Sequence, residues 1–202
     1  MAIINPPKDI PIREDSWRLT TPSEEVVSGW TGKRQVLIIP GPPRWSATIE
    51  IPPRNQVEGS LWRAFFASLK GRVHQFQLKA EAFQQTAIPN PLVNGAGQVG
   101  SSLNIDGLTN TAGTKFLLPG AFATISLPSG GKQLLMLTNV TNTTAGASTI
   151  SFEPQLRESP ADNALLEVQN PYALVSLTKD YFEFSRDLML NHKIPLDVVE
   201  TW

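Results

Sequence analysis

Two histidines, His74 and His192, are the side chains best suited to proton transfer or metal binding near neutral pH, and they stand far apart in the chain. His74 alternates with Val73 and Phe76 on a β-patterned segment and reads as a surface or satisfied strand histidine. A metal site needs further ligands at fitting spacing, and no His/Cys/Asp cluster supplies them. Carboxylates are few and dispersed. Glu24-Glu25 and Asp187 read as solvated surface, and Glu50 shares a strand with Trp45 without an evident acidic partner. A pair of glycosidase acids can still assemble from distant sequence. Serines are common, but the Gly-x-Ser-x-Gly elbow of the α/β hydrolases does not occur. Ser129-Gly-Gly-Lys132 echoes a phosphate loop but lacks the first glycine and the following Ser/Thr, so it reads as a hairpin turn. Asn139-Val-Thr141 and Asn142-Thr-Thr144 match the N-glycosylation pattern and read as turn chemistry. Arg34, Arg44, Arg54, Arg63 and Arg72 interleave with Trp30, Trp45 and Trp62, a mixture that can stack on single-stranded nucleic acid. A net charge of −1 gives no electrostatic drive for phosphate binding, so salt bridges and subunit contacts are the expected uses of these arginines.

The elements around these residues are short and mostly β-patterned. Residues 33–39 and 45–51 read as strands that pair as a hairpin across Pro40-Gly-Pro-Pro43. Pro52-Pro53 stops the second of them. A helix is predicted from about Gln56 to Leu69, with Leu61, Phe65 and Leu69 on one stripe and Trp62 and Phe66 widening it. Gly71 ends it, and Val73 to Leu78 alternates again. Residues 1–30 read as Pro-rich and irregular, with a short strand at Ser16 to Thr20. Later strands are expected at Ser102–Ile105, Phe122–Ser126, Gln133–Thr138 and Ser148–Phe152, with a polar turn from Asn139 to Ala147. Tyr172–Leu177 and Tyr181–Ser185 read as a strand pair, and Ile194 to Trp202 as an extended apolar segment whose terminal Trp packs.

With 202 residues, 41% of them hydrophobic and only 17% charged, the chain has the length for a sizeable core and less charge than most globular proteins. Its 17 prolines and 14 glycines suit many strands and turns. The absence of cysteine rules out disulfides and thiol chemistry and fits folding in a reducing cytosol. No stretch reaches the length of a transmembrane helix, and the first residues do not read as a secretory signal. Ala87 to Gly113 shifts to Asn, Gly, Ala and Ser, and long alternating strands resume after Pro171. The expected fold is therefore mainly β. Residues 1–85 with 166–202 form a β-sandwich domain with one helix, and residues 86–165 form an inserted small β-barrel. The core is expected to hold Trp45, Leu61, Trp62, Phe65, Leu69 and Phe76.

The run Thr31-Gly-Lys-Arg-Gln35, Gly41, Trp45-Ser-Ala-Thr48, Pro52-Pro53, Trp62-Arg-Ala-Phe-Phe66, Leu69-Lys-Gly71 and Phe76 resembles minor tail proteins of long non-contractile-tailed phages. Asp106-Gly107, Leu117-Leu-Pro-Gly120, Gln133-Leu134, Leu137-Thr138, Phe152-Glu-Pro154 and Leu156-Arg157 continue the likeness. Phe182-Glu-Phe184 and the last residues, Pro195 to Trp202, extend it to the closing strands. The order of these motifs over residues 30–202 carries the resemblance, and residues 1–29 match poorly. Within that group the nearest functional counterpart is the distal tail protein. The resemblance implies a homo-hexameric ring that joins the tail tube protein to the hub and fibre proteins. It places the protein at the virion tail tip, after synthesis in the host cytoplasm, with the barrel facing outward. It implies no catalytic residue, no cofactor, no metal, no nucleic-acid partner and no membrane insertion. Two other classes stay open. One is a carbohydrate- or receptor-binding module with Phe83, Phe116 or Phe122 as platforms, which exposed aromatics would favour. The other is a cell-wall hydrolase, which a buried pair of acids in one cleft would favour.

Overall fold

The structure, a computed structural model, describes residues 1–7, 14–39, 41–80, 89–108, 117–142, 146–186 and 192–201. Fourteen strands and one helix follow one another among these residues. They are β1 (Glu14–Thr20), β2 (Ser23–Val27), β3 (Arg34–Ile38), β4 (Arg44–Arg54), α1 (Gln56–Ser68), β5 (Phe76–Lys79), β6 (Leu92–Val93), β7 (Ser102–Asp106), β8 (Phe122–Ser126), β9 (Lys132–Asn142), β10 (Ser148–Glu153), β11 (Leu166–Glu167), β12 (Tyr172–Leu177), β13 (Ser185–Arg186) and β14 (His192–Glu200). The fold is mainly β with a single helix, as the sequence pattern predicts.

The first sheet runs in the order β1-β4-β14-β12-β5, all antiparallel, with β13 also against β14. Period-2 alternation sets its faces. Trp45, Ala47, Ile49 and Ile51 on β4 and Ile194, Leu196 and Val198 on β14 are buried on one side. Thr48 and Asp197 hydrogen-bond on the exposed side, Oγ1 to Oδ1 at 3.0 Å. Helix α1 covers part of the apolar side. Asn55 caps its start by accepting from the Glu58 backbone N–H at 2.9 Å, which satisfies one of the orphan donors of the first turn. Lys70 and Gly71 close it with positive φ angles of 51° and 65°. At Gly71 a Cβ would lie 2.7 Å from the Asp180 carbonyl oxygen, so glycine is required there by conformation and by space.

The second sheet runs β11-β8-β9-β10-β7-β6 and curls into a nearly closed barrel. Its ends meet where the Leu166 N–H donates to Pro91 O (3.0 Å) and the Val93 N–H to Ala164 O (3.0 Å). Leu103, Ile105, Ile125, Leu135, Leu137, Ile150, Phe152 and Leu166 fill the interior. The chain leaves and rejoins the first sheet at one place. Lys79 pairs with Tyr172, and the Ala80 N–H donates to Pro171 O at 2.8 Å.

Several expected elements pair differently. Strand β3 pairs with β2, and β4 pairs with β1 and β14, so the segments before and after Pro40-Gly-Pro-Pro43 do not form a hairpin with each other. Three prolines in that connection remove the donors a tight turn would use. Ser23–Val27 is a strand within the region expected to be irregular. Strand β9 continues through Asn142, past the expected turn at Asn139. Residues 181–184 are not a strand, and β12 pairs with β5 and β14 instead. Trp202 lies outside the described residues.

Candidate functional site

Five of the six expected core residues come together. Trp45 (3% exposed), Trp62, Phe65, Leu69 and Phe76 belong to one buried cluster between the first sheet and α1. Their rings interlock, with Phe65 edge-on to Phe76 at 5.6 Å and Trp62 stacked on Phe66 at 5.9 Å. Leu61 is the exception, at 50% exposed. At 3.6 residues per turn it sits roughly 90° from the centre of the face made by Trp62, Phe65, Phe66 and Leu69. Those four large side chains already fill the contact with the sheet.

Phe122 is not an exposed platform. It is 5% exposed and packs at 5.2 Å from Trp45 and 5.9 Å from Trp17. The reason is the register of β8 on β9, which pairs Phe122 with Met136 and Thr124 with Leu134. Ala123 and Ile125 point into the barrel, so Phe122 and Thr124 point out of it, onto the first sheet. Strand β8 is thus buried on both faces from Phe122 to Ile125, Thr124 included. Phe83 and Phe116 lie outside the described residues. Burial of Trp45 and Trp62 likewise removes them from any stacking surface for nucleic-acid bases.

The contact of barrel and sheet contains a buried polar constellation. Strand β14 alternates Ile194, Leu196, Val198 and Glu200 inward, so the sheet geometry carries a carboxylate into the core. Glu200 is 1% exposed. Its Oε1 accepts from the Leu134 N–H at 3.1 Å, and its Oε2 accepts from the Trp45 N–H at 3.3 Å and from Arg157 Nη2 at 2.6 Å. Arg157 Nη2 also donates to Pro43 O at 3.4 Å, and the Trp45 indole donates to Leu134 O at 3.0 Å. Nearby, the Thr124 hydroxyl donates to Tyr172 O and accepts from the Tyr172 N–H, each at 2.7 Å. Beside Arg157 a cleft of about 490 Å³ opens between Gly41–Pro43 and Gln155–Glu158. The guanidinium and two backbone donors hold this buried acid in one orientation. It joins elements, and the pairing with a cation is not the acid–acid pair that a hydrolase would need.

The other conspicuous feature is the two-stranded ribbon β2–β3. All ten of its residues are exposed. The ladder continues the β1–β4 edge pair outward, through Ile39 N–H to Pro22 O, for five residue pairs from Ser23↔Ile38 to Val27↔Arg34. That is roughly 17 Å of strand. The turn is closed by Ser28 N–H to Lys33 O and Gly32 N–H to Ser28 O, both 2.9 Å, and presents Trp30 at 100% exposure. Val27 (57%), Val36 (52%) and Ile38 (80%) share one side of the ribbon with the Arg34–Glu25 ion pair of 2.8 Å. Residue types alone flagged Trp30 only as one of an Arg/Trp mixture. The signal available was the run Glu24-Glu25-Val26-Val27, then Ser28-Gly29-Trp30-Thr31-Gly32, then Gln35 to Ile39, which is strand, turn and strand.

His74 is half-buried, and among the described residues no group of three or more His, Cys, Asp or Glu is placed to hold a metal ion. Among them no helix is long and apolar enough to cross a membrane. No protein-family model matches the chain, and no curated protein matches it in sequence.

Proposed function

We propose that this chain is a structural subunit of a phage tail tip, forming a homo-hexameric ring that joins the tail tube to the hub and fibres. The observation that carries the reading is the ribbon β2–β3. An isolated two-stranded hairpin is marginal in water, and this one exposes valines, leucine, isoleucines and a whole tryptophan. Exposed apolar residues gathered on one element mark an interaction site, and the resemblance of the motif order to minor tail proteins points to the kind of assembly. A projecting arm that is covered by a different surface of the next copy makes a heterologous contact, which closes into a ring when the rotation permits. In this reading the inserted module, residues 86–165, faces outward and is tied to the first sheet by the Arg157–Glu200 junction.

Light scattering and negative-stain imaging of the purified chain, with and without the tail tube protein, test the reading. Six-fold rings, alone or on the end of tubes, are expected. A chain that stays monomeric at high concentration and never joins a tube or hub would overturn it.

A further inference from the structure

We infer that the turn after β12, residues 178–184, is a binding site for a neutral sugar, with the Tyr181 ring as its platform. The turn is braced at three points. The Thr178 N–H and hydroxyl both donate to Asp197 O, at 3.0 and 3.1 Å. Asp180 lies against Gly71 and pairs with Arg72 at 3.2 Å. The Phe182 ring packs on Phe66 at 5.9 Å. Between these anchors Tyr181 is turned outward, 56% exposed. A tyrosine presented on a braced loop suits recognition, because its ring is rigid and its hydroxyl both donates and accepts. Beside it lies a small pocket of about 70 Å³, with Tyr181, Lys179, Glu183, Pro195 and Asp197 among its walls.

The walls select the class of ligand. Lys179 Nζ stands 5.6 Å over the Tyr181 ring and 3.7 Å from Asp197 Oδ2, so the place a cationic ligand would take is filled by the chain's own ammonium. The Glu183 and Asp197 carboxylates repel an anion. A wholly apolar ligand would strip water from three charged groups. A neutral pyranose fits. Its apolar face covers the tyrosine and proline rings, and its hydroxyls accept from Lys179 and donate to the carboxylates. The Thr48 hydroxyl already holds Asp197 Oδ1 at 3.0 Å, which sets that carboxylate before binding. The pocket is too small to enclose a disaccharide, so it takes the edge of one sugar residue.

Sugar binding is read on the purified chain whether or not it forms rings, so the site and the ring are tested apart. The probes are methyl β-glucoside, methyl β-galactoside, methyl α-rhamnoside and N-acetylglucosamine, each titrated into the tens of millimolar and followed by saturation-transfer NMR. At least one is expected to bind in the millimolar range. Tyr181→Ala should weaken that binding about tenfold, and Glu183→Gln should weaken it severalfold. Tyr181→Phe, which keeps the ring, should stay closer to wild type than Tyr181→Ala. Both positions are exposed, so the circular dichroism spectra of these variants should match wild type. Trp30 is the rival platform, at 100% exposed, and Trp30→Ala should leave binding unchanged. No binding by any of the four sugars overturns the inference. So does binding that survives Tyr181→Ala undiminished. So does binding lost in Trp30→Ala, which places the sugar on the turn between β2 and β3.

Discussion

Arg157 Nη2 lies 2.6 Å from Glu200 Oε2, and both side chains are withdrawn from water, at 10% and 0% exposed. Arg157 follows the last long strand of the barrel, and Glu200 ends the strand that lies at the centre of the first sheet. Forty-three residues separate them. The pair therefore spans the seam between the two sheets, where Glu200 also gathers the Leu134 and Trp45 N–H groups. Desolvating two charges costs several kcal/mol, and hydrogen bonds on both carboxylate oxygens offset that cost. The seam gains a fixed orientation, because each backbone donor must sit at one place on the carboxylate.

Breaking this pair from one side leaves the other charge buried. Arg157→Ala or Glu200→Ala should each lower stability by about 3–5 kcal/mol, read as a shift in urea midpoint. The double variant Arg157→Met with Glu200→Leu should recover most of that loss. A double variant as unstable as the sum of the singles would mean that the two side chains act separately.

Helix α1 offers a paired test of which side chains the sheet holds. Phe66 is fully buried, and Phe66→Ala should cost about 3–5 kcal/mol. Leu61 is half exposed, and Leu61→Ala should stay within about 1 kcal/mol of wild type. Equal losses at the two positions would place Leu61 in the core after all.

The sequence carries local information well and pairing information poorly, and the residues show where the division falls. The span of α1 was legible from its spacing, its Pro-Pro break and Gly71, and it forms at Gln56–Ser68. The core-facing side was legible only to within a quarter turn, so Leu61 was placed inward while Trp62 and Phe66 do the packing. Strand β4 was visible as an alternating run. Its partner was not, because period-2 alternation fixes which side chains share a face and leaves the neighbouring strand open. Phe122 is the sharpest case. Its alternation within β8 is plain, yet whether the outer face of a barrel strand meets water or another sheet is decided by tertiary packing. Glu200 was readable in principle, since it continues the inward series Ile194, Leu196, Val198. Its partner Arg157 could not be found from spacing, because the contact is made only when the barrel returns to the sheet.

Tyr172 provides a pH test of the same seam. Burial first, and the nearby Glu167 carboxylate second, raise its phenol above the ordinary value of 10.0. As pH rises, the unfolded chain gives up this proton before the folded one does. The contribution of Tyr172 is therefore complete below about pH 10 and is lost as pH climbs through the folded-state value. Thermal unfolding followed from about pH 9 to pH 11 should show a steeper fall for the wild type than for Tyr172→Phe. Parallel curves would show that the phenol does not titrate differently in the two states.

Replacing residues 86–165 by a short Gly/Ser linker tests whether the barrel is a separable insertion. The geometry of the ends favours it. Lys79 faces Tyr172 across one ladder rung, and the Ala80 N–H reaches Pro171 O at 2.8 Å, so a short linker can join the two strands without strain. The seam opposes it. Removing the barrel takes Phe122 and Leu134 from the outer core cluster, uncovers Trp45, and leaves Glu200 without Arg157 or the Leu134 N–H. An uncompensated buried carboxylate costs about 3–5 kcal/mol, a large part of the stability of a small domain. The expected order is therefore specific. The simple deletion should be folded but markedly less stable than the full chain by circular dichroism and denaturant titration. Adding Glu200→Gln should restore part of the loss, because the neutral amide no longer needs a counter-charge. Glu200→Gln in the full chain should do the opposite and destabilise, since there it weakens the charge-assisted bond from Arg157 Nη2. If the deletion is aggregated on sizing with or without Glu200→Gln, the strands of the barrel belong to the main core and residues 86–165 are not an insertion.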